Sequence, residues 1–307
     1  MRVIRGSEKA DARVIALGTF DGVHLGHQAL LKTAKAYARE HGIPLRVYTF
    51  ERHPLDVIAP EYAPKILTTI PEKMSRMCTF GVDEVQLVPF DRNMADMDPY
   101  VFLSRLREMM DVRALVAGWN YTFGRKAGGN AAMLREDGET HGYDVLIEDP
   151  VTRADGTVIS SSLIRGELQA GNMNEADDLM NGPYKVTGTV VEGKHEGRSL
   201  GFPTANIAYP SRKALPAYGV YTCLMETTEE MLPGIVNIGL QPTLPSGKVT
   251  IEAHALEGEP DLYGKKVRLT VIDRLRPERR FDTIAELEKQ IARDKKKALE
   301  LFGIGSG

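Results

Sequence analysis

Gly18-Thr19-Phe20-Asp21-Gly22-Val23-His24-Leu25-Gly26-His27 stands between two runs of different period. Before it, residues 13–17 (RVIAL) form a short apolar, β-rich stretch. After it, Leu30, Leu31, Ala34 and Ala38 recur at intervals of three and four until Gly42, a helix stop signal. The ten residues are therefore a strand-to-helix loop. In an open α/β sheet, ligands bind in the crevice at the carboxyl ends of the strands, where such a loop lies. The alternation continues with a strand at 45–50 (LRVYTF), a helix around 72–80, a strand at 84–89, a helix around 100–110 and a strand at 114–117. Strands separated by helices predict βαβ units and a parallel sheet covered on both faces.

After Asn172 the texture changes. Asn181-Gly182-Pro183 is turn chemistry, and beyond it short alternating runs follow at 184–191, 219–226, 235–238, 249–256 and 266–273. Closely spaced strands without helical pattern between them predict an antiparallel barrel or sandwich. Only 283–301 returns to a helical period, with Ile284, Leu287, Ile291, Ala298 and Leu299 on or near one face. Thr283 can cap that helix, with Glu286 three residues on. The expected organisation is α/β followed by β, with domains at 1–182 and 183–307.

Composition agrees with a soluble enzyme-sized chain. Its 307 residues suit about two domains, and 42% hydrophobic with 26% charged residues suits ordinary cores. Lys and Arg number 39 against 42 Asp and Glu, a net charge of −3, so the basic footprint of a nucleic-acid binder is missing. No run of ~18 uncharged apolar residues predicts a membrane span. The charged start, whose apolar run is cut by Asp21, does not read as a signal peptide. Cys78 and Cys223 are too few and too distant for a disulfide framework or a thiolate metal site, and fit a reducing cytoplasm. No heptad seam announces an oligomer.

The first loop is neither a G-x-G-x-x-G fingerprint nor a P-loop. It offers two imidazoles, His24 and His27, flanked by glycines that let a phosphate approach the backbone, at a helix N-terminus whose dipole favours an anion. In an arbitrary chain two such histidines are more often caps or surface groups. The glycines, Asp21 and the strand–loop–helix setting favour ligands here. Ser160-Ser161-Ser162 before a helix, with Arg165 one turn on, suits a pyrophosphate, although a serine run alone is usually a cap. Trp119, Asn120, Tyr121 and Phe123 follow the strand at 114–117, and either hold a planar ring system or pack on the next helix.

In the second half, Gly193-Lys194-His195-Glu196-Gly197-Arg198-Ser199-Leu200-Gly201-Phe202 is a basic, glycine-punctuated loop that runs into Pro203-Thr204-Ala205-Asn206. On an extended strand Thr204 and Asn206 point to one face, where a hydroxyl and an amide oxygen suit a hard cation such as Mg²⁺. Glu252, between Ile251 and Ala253, is a candidate general base, although a strand glutamate is more often merely solvent-facing.

The H-x-G-H string in this framing resembles the nucleotidyltransferase superfamily that includes phosphopantetheine and nicotinate-mononucleotide adenylyltransferases. With both halves taken together, the chain resembles the prokaryotic-type bifunctional riboflavin kinase/FAD synthetases over residues 14–299. GTFDGVHLGH, YTFERHP, FGVDEVQLVPFD, GWNYTFGRKAGG and SSSLIR follow the adenylyltransferase half. GRSLGFPTANI, AYGVYT, NIGLQPT, TIEAHAL, DLYGKK and LRPERRFDTIAELEKQIARD follow the kinase half, in the family's order.

The resemblance implies a Rossmann-like N-terminal domain and a six-stranded antiparallel β-barrel with a terminal helix. It implies phosphorylation of riboflavin to FMN by Mg–ATP, then adenylylation of FMN to FAD with release of pyrophosphate. Glu252 would be the kinase base, Thr204 and Asn206 the Mg–ATP ligands. Gly193, Gly197, Arg198, Gly201 and Pro203 would belong to a loop over the kinase phosphates. His24 and His27 would hold the second ATP with Gly18, Phe20, Asp21 and Gly22. Asn120 would sit near flavin phosphate and nucleotide, and Ser161, Ser162 and Arg165 would stabilise the leaving pyrophosphate. The chain departs from the family pattern at Ser162 (usually threonine), Tyr121 (commonly phenylalanine), Gly182 (commonly arginine) and Gln241 (often basic or polar). None of these removes a group given a role. The alternatives are a single retained activity, or a flavin- or nucleotide-binding regulator without turnover.

Overall fold

Strands with both faces covered must be apolar throughout, and residues 14–17 at the centre of the first half are. The computed structural model describes residues 1–6, 8–192, 204–240, 249–258 and 260–304. Its first half is a six-stranded sheet of β1 (Arg2–Arg5), β2 (Ala10–Leu17), β3 (Leu45–Phe50), β4 (Glu84–Val88), β5 (Met110–Gly118) and β6 (Asp144–Glu148). The helices are α1 (Leu25–Glu40), α2 (Leu55–Ile58), α3 (Ile70–Thr79), α4 (Arg92–Ala95), α5 (Pro99–Met109) and α6 (Ala131–His141). The order is β1-β4-β3-β2-β5-β6, every pair parallel. From β2 the chain moves to β3 and β4 on one side, then crosses back to β5 and β6 on the other. The switch point therefore falls between β2 and β5, where crevices open at the strands' carboxyl ends.

Val14 and Ala16 of β2 pack with Leu30, Leu31, Ala34 and Ala38 of α1 and Met77 of α3. Ile15 and Leu17 pack on the other face with Phe102, Leu103 and Leu106 of α5 and Leu134 of α6. Helix α1 is the amphipathic element expected after the histidine loop, and it gives way to Gly42 with φ +64°. Helix α3 opens in a capping box: Glu72 N–H donates to Thr69 Oγ1, and Thr69 N–H to Glu72 Oε2 at 2.8 Å.

By contacts the chain divides into two compact units, Met1–Ser161 and Ser162–Gly307. The second contains nearly all of α7 (Ser161–Ala170), then α8 (Met173–Met180), β7 (Lys185–Val191), β8 (Ala205–Ala208), β9 (Gly219–Glu226), β10 (Met231–Leu240), β11 (Val249–Ala255), β12 (Lys266–Pro277) and α9 (Ile284–Phe302). The strands close an antiparallel barrel in the order β10-β11-β8-β7-β12-β9. The 181–183 turn follows α8, whose cap residue Asn181 is left-handed at φ 51°. Thr283 caps α9 through Glu286 N–H, as the sequence predicts. The docking face of α9 is the expected one apart from its first residue: Leu287, Ile291 and Leu299 are partly buried and Ala298 is buried, and Asp294 joins them. Ile284 is 66% exposed, and the helix is buried through Asp294 and Ala298, with Leu299 and Phe302 packed nearby. The polar member is held by ion pairing, since Arg276 Nε lies 2.9 Å from Asp294 Oδ2.

Candidate active sites

The loop between β2 and α1 is strained, and its neighbours hold it so. Phe20 (φ 51°) and Val23 (φ 45°) both lie in the left-handed region, which is costly for a β-branched valine. Gly22 takes φ +84° with Leu67 so close that an added Cβ would come within 2.8 Å of its Cδ1. The segment ahead of α3 clamps this turn. Leu67 N–H and Thr68 N–H donate to the Asp21 carboxylate at 2.9 and 3.0 Å, and Gly22 N–H donates to Thr68 Oγ1 at 3.0 Å. Ser161 Oγ donates to the Asp21 carbonyl at 2.8 Å, and Gln28 Nε2 to the Val23 carbonyl at 2.9 Å. The buried Lys73 donates to the Thr19 carbonyl at 2.7 Å, and Thr49 Oγ1 donates to the same oxygen at 3.1 Å.

On this platform the two imidazoles stack, ring centroids 3.8 Å apart, and the Phe20 ring lies tilted 5.1 Å from His27. Gly18 leaves room for the Phe20 ring, whose Cε2 would meet an added Cβ at 3.0 Å. Burial, then the charges of His24 and Lys73, hold the His27 pKa well below 6.5. Its Nδ1 has no hydrogen-bond partner among the described residues. Helix α1 carries no acidic residue in its first turn, so its positive end is left for an anion. The sequence thus brings Gly18, Phe20, Gly22, His24 and His27 together, while the Asp21 carboxylate is turned to Leu67 and Thr68. Leu67, Thr68 and Lys73 were not among the expected site residues. The readable signal was the T-x-x-E capping box beside them, which reports a helix start and nothing about the loop it braces.

Asn120 is exposed beyond β5, the strand adjoining β2. Trp119 is exposed too, whereas Tyr121 stacks on Phe123 and Phe123 packs on Phe102 of α5. Two of the three loop aromatics thus serve the core, and burial raises the Tyr121 phenol pKa. Past Phe102 lies a cavity of about 370 Å³ lined by Tyr48, Val88, Met94, Met97, Phe102 and Leu106, with Gln86 and Arg105 as polar members. Ser162 and Arg165 lie in the first turns of α7 and group with the second unit.

In the barrel, strand register assembles the second site. Asn206 of β8 is paired with Glu252 of β11, and Glu252 with Asn237 of β10. Their sequence neighbours Ile251, Ala253, Val236 and Ile238 are buried, so the alternation of a strand turns Asn206, Glu252 and Asn237 to the other face as one row. Thr204, just before β8, is exposed and two residues from Asn206. Hydroxyl, amide and carboxylate oxygens are the donors a hard cation takes, so this set fits Mg²⁺ carried in on phosphates. Two groups here had been given no role. Asn237 lies within the quoted NIGLQPT. The Glu278 carboxylate lies over Gly239, where an added Cβ would overlap it. Gly193, Gly197, Arg198, Gly201, Pro203 and Gln241 lie outside the described residues.

Comparison with known proteins assigns both halves. The FAD synthetase family matches residues 6–163 and the riboflavin kinase family residues 180–302. A bifunctional riboflavin kinase/FMN adenylyltransferase of Escherichia coli K12 is 36% identical over 311 residues, covering 99% of each chain. A Bacillus subtilis protein of the same name is 34% identical over 299 residues, covering 96% of this chain and 94% of that one. A solved Streptococcus pneumoniae structure described as a macrolide-efflux protein superposes with a TM-score of 0.86 at 30% identity, covering 97% and 99%. No helix among the described residues is long and apolar enough to cross a bilayer. Matched in both halves and along nearly its whole length, the chain belongs to the bifunctional riboflavin kinase/FMN adenylyltransferase family.

Proposed function

We propose that the chain makes FAD from riboflavin in two steps at separate sites, a kinase site in 183–307 and an adenylyltransferase site in 1–182. The observation that carries this assignment is that paired imidazoles at a sheet switch point and a strand carboxylate in a row of oxygen donors lie in different units of one chain.

In the first step the ribityl 5′-hydroxyl attacks the γ-phosphorus of ATP, the bond to the β-phosphate oxygen breaks, and Glu252 takes the hydroxyl proton. Thr204 and Asn206 would hold the magnesium that accompanies ATP, and that ion would offset the charge of the phosphate oxygens. Gly193, Gly197, Arg198, Gly201 and Pro203 are assigned to the loop over these phosphates.

In the second step an FMN phosphate oxygen attacks the α-phosphorus of another ATP and pyrophosphate leaves. His24 and His27 donate to phosphate oxygens at the positive end of α1, while Gly18 and Gly22 admit the backbone approach. Asp21 acts by holding the loop, with Phe20 wedged against His27. Asn120 contacts flavin phosphate and nucleotide, and Ser161, Ser162 and Arg165 receive the pyrophosphate. Because Tyr121 and Phe123 are committed to the core, we assign the flavin ring to exposed Trp119 and the Tyr48–Phe102 cavity. A reducing, cytoplasmic setting accords with the free Cys78 and Cys223.

Incubation with riboflavin, ATP and Mg²⁺, followed by chromatography, should show FMN and then FAD. Turnover of one substrate alone would leave the single-activity alternative, and tight flavin binding without ATP consumption the regulator. Absence of any flavin phosphate would refute the two-step assignment.

A further inference from the structure

Lys73 is 6% exposed, yet neither half-reaction as described uses it. A lysine on a helix ordinarily keeps its ammonium in water, because desolvating a charge is costly. Here the ammonium is drawn under the β2–α1 loop, where it donates to the Thr19 carbonyl at 2.7 Å. That carbonyl immediately precedes the left-handed Phe20 and is also bound by Thr49 of β3. The charged and titratable groups facing Lys73 are the Asp21 carboxylate and the His27 imidazole, with the His24 ring stacked on His27. On α3 itself, Glu72 is engaged in the capping box, and Arg76 lies one turn on.

We propose that Lys73 is a positioning residue of the adenylyl-transfer site: it pins the strained loop through Thr19 and lays a fixed positive charge behind His27. With no substrate bound, that charge adds to burial and to the His24 charge in keeping the His27 imidazole neutral, which avoids clustering cations in a half-buried site. An arriving triphosphate reverses the sign of the local field, so the same lysine then adds attraction for the anion. Burial lowers the Lys73 pKa to about 8, opposed by Asp21, so the ammonium form still prevails near neutral pH. The role rests on the adenylyltransferase assignment above.

The test compares the whole chain with Lys73→Met, Lys73→Gln and Lys73→Arg variants. FAD formation from FMN and riboflavin phosphorylation are followed separately, and His27 is titrated by imidazole NMR assigned with His27→Ala. In Lys73→Met, kcat/KM for ATP in FAD formation should fall at least tenfold with riboflavin phosphorylation unchanged, and the His27 midpoint should rise. Lys73→Gln, which keeps an N–H donor without the charge, should raise the midpoint equally; Lys73→Arg should hold it low and recover part of the rate. FAD formation within twofold of the unmodified chain, or an unmoved His27 midpoint in Lys73→Gln, would overturn the role. Failure of the unmodified chain to form FAD would instead refute the adenylyltransferase assignment.

Discussion

Asn206 and Glu252 are direct register partners across the β8–β11 pair. Opposed residues of an antiparallel pair have Cβ atoms about 5 Å apart, close enough for an amide oxygen and a carboxylate to address one phosphate-borne cation and one attacking hydroxyl. The sequence separates them by 46 positions, so neither has meaning as a site until the barrel closes.

Glu252→Gln keeps the shape of the row and removes the proposed base. Riboflavin phosphorylation should fall by about 10²–10⁴, the usual range for a positioned general base. FAD formation from supplied FMN should persist. Equal loss of both activities in a folded variant would mean that the two reactions share a site.

His27→Ala should give the reverse pattern. Loss of one preorganised donor to a developing phosphate charge is worth about 10²–10³ in rate. The Phe20 ring would also lose a packing partner 5.1 Å away, which adds loop freedom to the chemical loss. FMN should still accumulate from riboflavin, and chromatography of the two product pools decides the point.

Much of this is legible in the sequence alone. Residues 13–17 read as a strand because four consecutive apolar positions have both faces to fill, and the capping signals Thr69–Glu72 and Thr283–Glu286 lie in the strings that form them. Lys73 was illegible because its partner Thr19 is 54 positions away, and a single lysine in a helix gives no periodic sign of burial. The face of α9 is legible in Leu287, Ile291, Ala298 and Leu299, and its charged member is not, for a related reason. Counting apolar residues adds Ile284, which is exposed, and leaves out Asp294, which is buried with its charge met by Arg276 on another element. Periodicity sees apolar surface and is blind to paired charge.

Asp21→Ala tests whether the loop is held by its carboxylate. The change leaves the buried N–H groups of Leu67 and Thr68 without that acceptor, a loss of about 1–3 kcal/mol per orphaned donor. Denaturant unfolding followed by the lone Trp119, which reports on the first unit, should shift to lower concentration, and FAD formation should drop while riboflavin phosphorylation holds. An unchanged midpoint would show that the strap at Leu67–Thr68 is not what maintains Phe20 and Val23.

Protonation of this same pocket should make the stability of the first unit depend on pH in a defined direction. Burial, His24 and Lys73 depress His27 below its ordinary 6.5, so in the interval beneath 6.5 the unfolded chain binds more protons than the folded one. Stability must therefore fall as pH drops through that interval and be fully recovered above 6.5. Lys73 has the same sign in another window: folded near 8 and ordinarily 10.5, it makes stability rise between those values, by about 3 kcal/mol at most. Trp119-monitored unfolding across pH 5–10 should show both rises, with His27→Gln flattening the acid one and Lys73→Met the alkaline one. Curves of identical pH dependence in all three chains would mean that neither group is desolvated beneath the loop.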